Sequence, residues 1–576
     1  MSGDPQAAQG SWWRLSLLDR MAGLRPREGQ IFLVLSLVTG ALTGLTVVAF
    51  ILLTERLGMR LYPVSGAPWR RLLFPVAGSL GIGYLLYRFF PNARGSGVPQ
   101  TKAALFARDG RITLRTVLGK FFCTSVTLAS GIPLGREGPS VQVGAGIGSV
   151  LGRALGLSTE QVKKLIPVGA AAAIAAAFNT PLAAVVFSLE EIMGDLNAPL
   201  MGGVVLASAT AWVVLRLSLG DHPLFKVPQY HLVSPAEFAI YAVLGVAGGV
   251  VSAVFAKLLL GMRARFLRFP KKTVWFQPLA GGLLVGVMGW FVPQVMGVGY
   301  GFVGDALNGG MAFRLMLLLL VLKLFAVTTS YASGNAGGIF GPSLFLGAMV
   351  GGVVGTVAHH LFPASTALPG AYALVGMGAV FAGVIRTPMT SVLMIFELTQ
   401  DYAVIVPLMI ANLVSLFVAS LLQHESIYEA LAMQDGIHLP SAKTRQRLDQ
   451  RTAGEIMKSP ALLLDSEATV REALGRIRAG GLRSALVTDE RGVIGVVTQP
   501  QLEIEMDEEA GGLLGDLMTA PDFPHLHTDQ GLDLALERMG ANQVDVLPVV
   551  SRANVHTLMG IVTLQDVLDS YGVHHA

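Results

Sequence analysis

The stretch GREGPSVQVGAGIG, residues 135–148, places an arginine and a glutamate in one of the most apolar regions of the chain. The same frame returns 203 positions later as GIFGPSLFLGAMVG, residues 338–351, with Ile339 and Phe340 in place of the charged pair. Glycine lets the backbone approach closely, and proline is favoured in the first turn of a helix. Each stretch therefore predicts a helix start.

The repeat extends beyond these two stretches. A shift of 203 positions aligns Lys120–Gly148 with Lys323–Gly351, and 12 of the 29 aligned positions are identical. A second match follows in the same order, in which a Thr-Pro pair precedes Glu190 in one copy and Glu397 in the other. Two ordered matches that keep polar residues predict a duplicated core. Transporters built from two such halves place their substrate site where the halves meet.

The composition excludes an ordinary soluble protein. The 576 residues are 52% hydrophobic and 14% charged, whereas a soluble domain carries about 25% charged residues. Five windows without Asp, Glu, Lys or Arg are long enough to cross a bilayer, which needs about 20 apolar residues. They are Ile31–Thr54, Leu165–Leu189, Phe238–Ala256, Thr273–Gly304 and Leu324–Ile385. We therefore predict an all-α polytopic membrane domain over residues 31–434.

The ends of the chain differ from this apolar centre. Residues 1–30 form a short basic segment, whose arginines favour a cytoplasmic N-terminus. The first apolar window is too long for a signal peptide and no small-residue cleavage site follows it, so we expect it to stay as a membrane helix. Residues 435–452 form a polar linker. A charged soluble tail follows, with one domain predicted over 453–510 and a second over 511–576.

Several classes of function find no support. The single cysteine, Cys123, excludes an intramolecular disulfide. The histidine pairs lack further ligands at metal-binding spacing, so no metal site is predicted. The sequence pI of about 9.1 follows in part from basic residues that flank apolar segments, and no nucleic-acid partner is predicted. No Ser/His/Asp set or phosphate-binding loop occurs, so the chain is predicted not to be an enzyme.

The matched helix starts predict an anion site. The first N–H groups of a helix have no partner within it, and the helix dipole adds roughly half a positive charge at that end. Two such ends aimed at one point would bind an anion without a full positive side chain.

Glu137 would be the gate of this site. Its carboxylate carries the charge of an anion, so it can occupy the anion site and leave when protonated or displaced. The alternative is a first-turn acid that only complements the helix dipole, but ionisable residues inside a membrane are expensive and usually functional. Arg136 is expected to be structural, pairing with carbonyl groups or with a nearby acid.

A second group of acids closes the window Leu165–Leu189. Glu190 and Glu397 are equivalent in the two copies, and we expect them to cap or brace equivalent helices. Glu191 has no counterpart. A carboxylate at the end of a long apolar helix, in the repeat that carries Glu137, suits a proton relay. A solvated acid at the membrane surface is the alternative, and the sequence by itself leaves both open.

Over residues 30–435 these motifs resemble the CLC family of chloride channels and chloride/proton exchangers. GSGVP (95–99), GREGP (135–139) and GIFGP (338–342) are similar to its three anion-coordinating motifs, and Tyr428 in ESIYEAL is similar to its coordinating tyrosine. The resemblance implies two halves of inverted topology and a homodimer with one pathway in each subunit.

The resemblance also implies roles for single residues. The central chloride site would be lined by two hydroxyls and two backbone amides, those of Ser96, Tyr428, Ile339 and Phe340. Glu137 would be the gating glutamate shared by the chloride and proton paths. Glu191 would be the inner proton-transfer glutamate, which exchangers have and channels usually lack. Serine rather than proline at position 96 implies a preference for chloride over nitrate, and the motifs depart from those of the fluoride-exporting branch.

The tail resembles a pair of CBS domains, with matching motifs over 453–498 and 514–566. Short strands such as Ser484–Val487 and Val546–Val550 alternate with helical stretches, which predicts a small α/β module.

CBS pairs often bind adenine nucleotides. The resemblance places Asp566, three residues after Thr563, where a carboxylate would hold the ribose hydroxyls of ATP, ADP or AMP. Gln501 stands at that position in the first CBS domain, so one competent site, or none, is expected. A purely structural tail that stabilises a dimer is the alternative.

These features predict a secondary-active exchanger in the cell inner membrane, in which chloride moves one way and protons the other. A passive chloride channel with the same anion site is the alternative, and Glu191 is the feature against it. The tail would lie in the cytoplasm, and transport would require no cofactor.

Overall fold

The structure is a computed structural model that describes most of the chain. Its gaps are residues 1–27, 64–65, 196–199, 221–224, 226, 229, 231, 438–450, 461, 481–482, 509–511, 519–522 and 571–576. Most of the predicted N-terminal segment and most of the predicted linker therefore lie outside the described residues. The chain divides into two compact units, Met1–Leu439 and Pro440–Ala576.

The described part of the first unit contains seventeen α-helices. They are α1 (Glu28–Leu61), α2 (Pro68–Arg88), α3 (Val98–Ala107), α4 (Leu114–Ala129), α5 (Glu137–Ala154), α6 (Thr159–Phe178), α7 (Pro181–Phe187), α8 (Met201–Leu219), α9 (Glu237–Leu267), α10 (Pro278–Phe291), α11 (Tyr300–Leu307), α12 (Phe313–Ala332), α13 (Phe340–Leu361), α14 (Pro369–Ile385), α15 (Pro388–Thr399), α16 (Ile405–Leu422) and α17 (Ile427–Gln434). A π-helical segment, Ser188–Met193, continues from α7.

Within the described residues, seven helical stretches are long and apolar enough to cross a membrane. They are Gly29–Leu61, Thr159–Phe178, Met201–Leu219, Glu237–Leu267, Phe313–Ala332, Phe340–Leu361 and Tyr402–Gln434. Three shorter apolar helices, α10, α14 and α15, lie between them in the chain. The prediction of an all-α polytopic domain is confirmed.

The helices of the two halves correspond in order. Eight helices, α1 to α8, form the first half, and α9 to α16 form the second, with α17 outside the repeat. α5 begins at Glu137 and α13 begins at Phe340, 203 positions later. α7 and α15 likewise begin at the prolines of the two Thr-Pro pairs, Pro181 and Pro388. The duplication predicted from the sequence is therefore present in the fold.

Two apolar windows that predicted single spans are broken. In Leu165–Leu189, α6 ends before Asn179, which has a left-handed φ of 60°, and α7 begins at Pro181. Asparagine tolerates this conformation at a helix end, and proline is favoured at the start of the next helix. The window Thr273–Gly304 is likewise divided between α10 and α11. The expectation that Glu191 ends a long apolar helix is therefore wrong, because it follows a short, separate helix.

Glycines bring matched helices into close contact in both halves. A Cβ on Gly144 would lie 2.2 Å from the Gly169 carbonyl oxygen, and a Cβ on Gly347 would lie 2.4 Å from the Gly376 carbonyl oxygen. α5 therefore packs against α6, and α13 against α14, at a backbone separation that a larger residue would prevent. This packing fixes the direction of the two helices whose N-termini meet at the candidate site.

The second unit contains two small sheets and short helices. Its described elements are α18 (Ala453–Ile456), β1 (Leu463–Asp465), α19 (Val470–Ala479), β2 (Ser484–Asp489), β3 (Gly492–Thr498), α20 (Gln499–Glu508), α21 (Leu514–Leu517), α22 (Leu532–Asn542), β4 (Val546–Val550), β5 (Leu558–Thr563) and α23 (Leu564–Ser570). β1 pairs with β2 in parallel, whereas β2 pairs with β3 and β4 with β5 antiparallel. The predicted α/β character of the tail is confirmed.

Candidate anion-binding and proton-transfer site

The two matched helix starts meet at the backbone. Gly135 and Gly338 form an antiparallel bridge, in which each N–H donates to the carbonyl oxygen of the other at 2.7 Å. α5 and α13 each begin two residues after the bridging glycine. The two helix N-termini therefore converge, as the repeat predicts.

The GSGVP loop lies against the same region. Gly97, the residue before α3, has a φ of +105°, which favours glycine. A Cβ on Gly97 would lie 2.3 Å from the Gly138 carbonyl oxygen, and a Cβ on Gly138 would lie 2.6 Å from the Ser96 carbonyl oxygen. Ser96 is therefore held directly against the first turn of α5.

Two hydroxyl groups in this region lack a partner. The Ser96 Oγ and the Tyr428 Oη are buried, and neither has a hydrogen-bond partner among the described residues. The Tyr331 hydroxyl lies near Ser96, but the two groups do not meet hydrogen-bond geometry. A buried hydroxyl is costly unless something accepts its hydrogen bond. A small anion that accepted from both hydroxyls would remove this cost.

The start of α13 supplies the two predicted backbone donors. Ile339 precedes the helix and Phe340 is its first residue, so neither N–H has a partner within the helix. The Phe340 ring packs against three phenylalanine rings at centroid distances of 4.5–5.6 Å, those of Phe178, Phe187 and Phe381. This aromatic cluster fixes the position of the helix start.

Glu137 is fully buried at the first position of α5. Its carboxylate accepts hydrogen bonds from the other half of the protein. The Tyr300 hydroxyl donates to Oε1, and the N–H of Gly341, in the first turn of α13, donates to Oε2 at 3.3 Å. The carboxylate therefore lies at the N-terminal end of the opposite helix, where negative charge is favoured. The sequence analysis missed Tyr300.

Arg136 pairs with an acid, as predicted. Its Nη1 donates to Glu55 Oε1 at 2.9 Å, and its guanidinium carbon lies 5.8 Å from the centroid of the Tyr300 ring. These three residues border a cavity of about 690 Å³, which we call the vestibule. Tyr300, which borders the vestibule, also donates to Glu137.

Two buried lysines anchor equivalent loops in the two halves. Each ammonium group donates to two carbonyl oxygens at 2.5–3.1 Å, those of Ala93 and Gly95 for Lys120 and those of Val295 and Gly297 for Lys323. One loop leads into α3, the other leads into α11, and each ends in a glycine with positive φ. The loop before Tyr300 is therefore the counterpart of the GSGVP loop.

Glu191 lies in the π-helical segment after α7 and is buried. Lys102, on α3, donates from Nζ to Glu191 Oε1 at 2.8 Å, and both side chains are less than a tenth exposed. This burial excludes the solvated surface acid that the sequence left open. α3 therefore links the two candidate functions, because Ser96 lies just before it and Lys102 lies on it. The sequence analysis also missed Lys102.

The predicted structural role of Glu190 and Glu397 is confirmed. The Glu190 carboxylate accepts from the Met389 and Thr390 N–H groups at 3.2 and 2.8 Å. The Glu397 carboxylate accepts from the N–H groups of Leu182 and Ala183 at 2.9 and 2.7 Å. Each acid therefore caps the first turn of the helix that is equivalent to its own, α15 for Glu190 and α7 for Glu397.

In the tail, Asp566 lies in the first turn of α23. Its Oδ2 accepts from the Thr563 hydroxyl at 2.7 Å and from the Thr563 N–H at 3.2 Å, and its Oδ1 accepts from Lys458 Nζ at 2.5 Å. Burial by itself would raise the pKa of Asp566, but the hydrogen bonds from Lys458 and Thr563 lower it below the ordinary value of 3.8. The carboxylate is therefore charged and oriented, which fits an acceptor of ribose hydroxyls. Lys458 is largely exposed and can give way to a ligand.

The first CBS domain repeats this turn without the acid. The Gln501 N–H donates to Thr498 Oγ1 at 3.4 Å, just as the Asp566 N–H donates to Thr563 Oγ1 at 3.1 Å. The Gln501 side chain is exposed. The two turns are therefore equivalent in the backbone, and the carboxylate is present in the second alone.

Two matched halves whose helix N-termini meet beside a buried carboxylate are typical of a membrane transport protein. The chain matches the family described as Voltage gated chloride channel over residues 76–420, more than half its length, and it belongs to this family, the CLC proteins. The tail matches the CBS domain over 453–502 and 514–572.

Related proteins cover most of the membrane unit. The H(+)/Cl(-) exchange transporter ClcA of Vibrio campbellii is 35% identical over 364 residues, which are 62% of this chain and 78% of that protein. ClcA of Salmonella paratyphi B is 32% identical over 469 residues, 78% of this chain and 96% of that protein.

Two solved structures show the same fold. A slow cyanobacterial Cl-/H+ antiporter has a TM-score of 0.65 and 28% identity, and the match covers 70% of this chain and 97% of that one. A eukaryotic CLC transporter has a TM-score of 0.59 and 22% identity, with 93% of this chain and 97% of that one covered, which supports the fold alone.

Proposed function

We propose that the protein is a chloride/proton antiporter. The observation that carries this proposal is the position of the Glu137 carboxylate, which accepts the Gly341 N–H at the start of the opposite helix. A carboxylate and a chloride ion carry the same charge and are bound by the same kind of N–H group. The Glu137 side chain and a chloride ion would therefore compete for the same binding position.

Chloride would bind between two hydroxyls and two backbone amides near the point where the two halves meet. The hydroxyls are those of Ser96 and Tyr428, and the amides are those of Ile339 and Phe340. All four donors are neutral, so an ion would exchange its hydration for hydrogen bonds without meeting a fixed positive charge. Binding of this kind is weak enough to allow release, which transport requires.

Proton coupling would follow from the two buried carboxylates. Protonation of Glu137 removes the charge that holds it at the helix end, so the side chain leaves and an anion takes its place. Glu191, paired with Lys102, would exchange protons with the inner solution. The Vibrio and Salmonella relatives are named H(+)/Cl(-) exchange transporters, and the cyanobacterial structure is described as a Cl-/H+ antiporter. These names support antiport over passive conduction.

Flux measurements on purified protein in liposomes test the proposal. A chloride gradient should drive protons uphill. Glu191→Ala should keep chloride flux and lose proton movement, and Glu137→Ala should uncouple the two fluxes. The matched control is Glu190→Gln, the neighbouring acid that caps α15, which should keep the coupling. Chloride flux without proton movement in the unmodified protein would refute antiport and support a passive channel.

For the tail, we propose that the CBS pair binds an adenine nucleotide at Asp566. The carboxylate is charged and is oriented by Thr563, and among the described residues its second oxygen accepts from an exposed lysine. Calorimetry with ATP, ADP and AMP on the full chain should detect binding that Asp566→Ala weakens and Gln501→Ala leaves unchanged. No heat with any of the three would support a tail whose role is structural.

We also propose a homodimer in the cell inner membrane, with the N-terminus and the tail in the cytoplasm. Large apolar side chains are exposed on α8 and α16, among them Leu217, Phe417 and Leu421. Lipid or a second subunit must cover such a surface. Cross-linking in native membranes would give a dimer band if a second subunit covers it, and cysteines introduced in the tail should react with impermeant reagents from the cytoplasmic side alone.

A further inference from the structure

A tyrosine that contacts Glu137 has no part in the transport steps proposed so far. Tyr300 is the first residue of α11, and its hydroxyl donates to Glu137 Oε1. The Tyr300 ring is fixed by an edge contact with Phe225 at a centroid distance of 5.9 Å and by the Arg136 guanidinium at 5.8 Å. The phenol is therefore held in place against the carboxylate.

The backbone opposite leaves room for this hydroxyl. A Cβ on Gly341 would lie 2.9 Å from the Tyr300 Oη and 3.1 Å from Glu137 Oε2. Even an alanine at this position would require Tyr300 or Glu137 to move. Glycine at 341 thus allows the carboxylate to accept from the backbone N–H and from the phenol together.

The loop that presents Tyr300 is as firmly held as the loop that presents Ser96. Lys323 holds it through the carbonyl oxygens of Val295 and Gly297, and Gly299 turns the chain into α11 with a φ of +88°. Both anchors are present in the first half, where the residue equivalent to Tyr300 is Val98. The two loops therefore share the lysine anchor and the glycine turn, but the loop of the first half has no residue equivalent to the Tyr300 hydroxyl.

We propose that Tyr300 is a positioning residue for the gating glutamate, Glu137. Its hydroxyl holds the Glu137 carboxylate in the anion-binding position and so sets the proton concentration needed to release the side chain. This inference rests on the proposed role of Glu137. A hydrogen bond to a charged acceptor stabilises the charged form over the neutral one. Protonation of Glu137 must therefore work against the Tyr300 contact.

Other ionisable groups face Glu137 from the surrounding elements. Arg136 lies directly before it, at the start of α5, and is paired with Glu55 of α1. The Tyr428 phenol on α17 also interacts with it electrostatically. A change confined to the Tyr300 hydroxyl leaves these groups in place, so its effect on the gate can be measured separately.

The test is Tyr300→Phe, with chloride flux in liposomes measured from pH 4 to 8 as the readout. Because a hydrogen bond to a charged group contributes about 1.5–3 kcal/mol, its loss should move the midpoint of acid activation to higher pH by about one to two units. The phenylalanine variant should also show a larger chloride flux at neutral pH than the unmodified protein. The matched control is Tyr62→Phe, whose hydroxyl faces the Leu128 carbonyl oxygen at 3.5 Å rather than Glu137 and whose profile should match the unmodified protein.

Two outcomes separate failure of this inference from failure of the proposed function. If Tyr300→Phe has an unshifted midpoint while Glu137→Gln still uncouples the fluxes, Tyr300 does not hold the gate. If Glu137→Gln has no effect on coupling, the proposed gate itself is wrong. In the Glu137→Gln background, Tyr300→Phe should cause no further shift, and a shift of the same size there would also overturn the inference.

Discussion

Neutralising Lys102 tests the buried ion pair at the proposed inner proton-transfer site. The Lys102 ammonium lies 2.8 Å from Glu191, and both side chains are less than a tenth exposed. Methionine at position 102 keeps the length of the side chain and removes the charge. The Glu191 carboxylate then loses the cation that pairs with it, at a site where less than a tenth of the side chain is exposed.

The magnitude follows from this burial. Removing one partner of a buried pair costs about 3–5 kcal/mol, whereas replacing both with neutral residues of similar size is often close to neutral. Lys102→Met and Glu191→Gln should therefore each destabilise the membrane domain by about that amount, and the double variant by less than either. The coupling energy in this cycle should be at least about 3 kcal/mol.

The double-mutant cycle is measured by thermal unfolding in detergent, with proton and chloride flux in liposomes as the second readout. Lys102→Met should keep chloride flux and lose most proton movement, because a buried carboxyl group without a countercharge stays neutral and no longer passes protons on. If the destabilisation of the double variant equals the sum of the two single values, Lys102 and Glu191 do not stabilise each other's charge. Full proton coupling in Lys102→Met would show that Glu191 does not need the lysine.

Three further changes probe the frame around the site. Gly97→Ala should abolish flux, because its methyl would lie 2.3 Å from the Gly138 carbonyl oxygen at a φ of +105°; normal flux would show that the GSGVP loop adapts. Glu397→Ala should destabilise the membrane domain by about 1–2 kcal/mol through the lost cap of α7 and keep proton coupling, so a loss of coupling would contradict a purely structural role. The pKa of Asp566 lies below 3.8 in the folded state, so its carboxylate contributes stability above that pH and loses the contribution as the pH falls through the folded pKa. Asp566→Asn removes the charge that pairs with Lys458. Hydrogen exchange in α23 should therefore be faster in this variant than in the unmodified protein at neutral pH, and equally fast in both in strong acid. A difference between the two proteins that does not change with pH would show that the charge of Asp566 is not its cause.

The features that obey the repeat could be predicted from the sequence. The helix starts at Glu137 and Phe340 follow from Gly and Pro at fixed spacing, which are local requirements of the backbone. The structural role of Glu190 and Glu397 followed from their equivalence, and the fold shows the physical reason: each acid caps the helix equivalent to its own. A single sequence is enough to recognise both local backbone requirements and an internal repeat.

The contacts that the sequence analysis missed join residues far apart in the chain. Lys102 and Glu191 are 89 residues apart, and no spacing rule connects them, although a lysine six residues after Ser96 in an apolar region was a signal. Tyr300 was hidden because the repeat shifts from 203 to 202 positions at its loop. An alignment of GSGV, residues 95–98, with GVGY, residues 297–300, would have found it. The break at Asn179 was signalled by the Asn-Thr-Pro sequence within an uncharged window.

Symmetry separates structural groups from functional ones in this protein. The lysines that anchor the two loops are duplicated, as are the capping acids, because two equal halves have equal needs for stability. The groups that would move protons and gate the anion are not duplicated: Glu137 corresponds to Phe340, and the counterparts of Glu191, Lys102 and Tyr300 are Leu398, Gly304 and Val98. The proposed chloride site also uses groups that are not duplicated, because Ser96 corresponds to Val298 and Tyr428 lies outside the repeat. Coupling to protons requires a titratable gate on one side and a proton-exchange group on the other, so the proposed chemistry would lie where the second copy departs from the first.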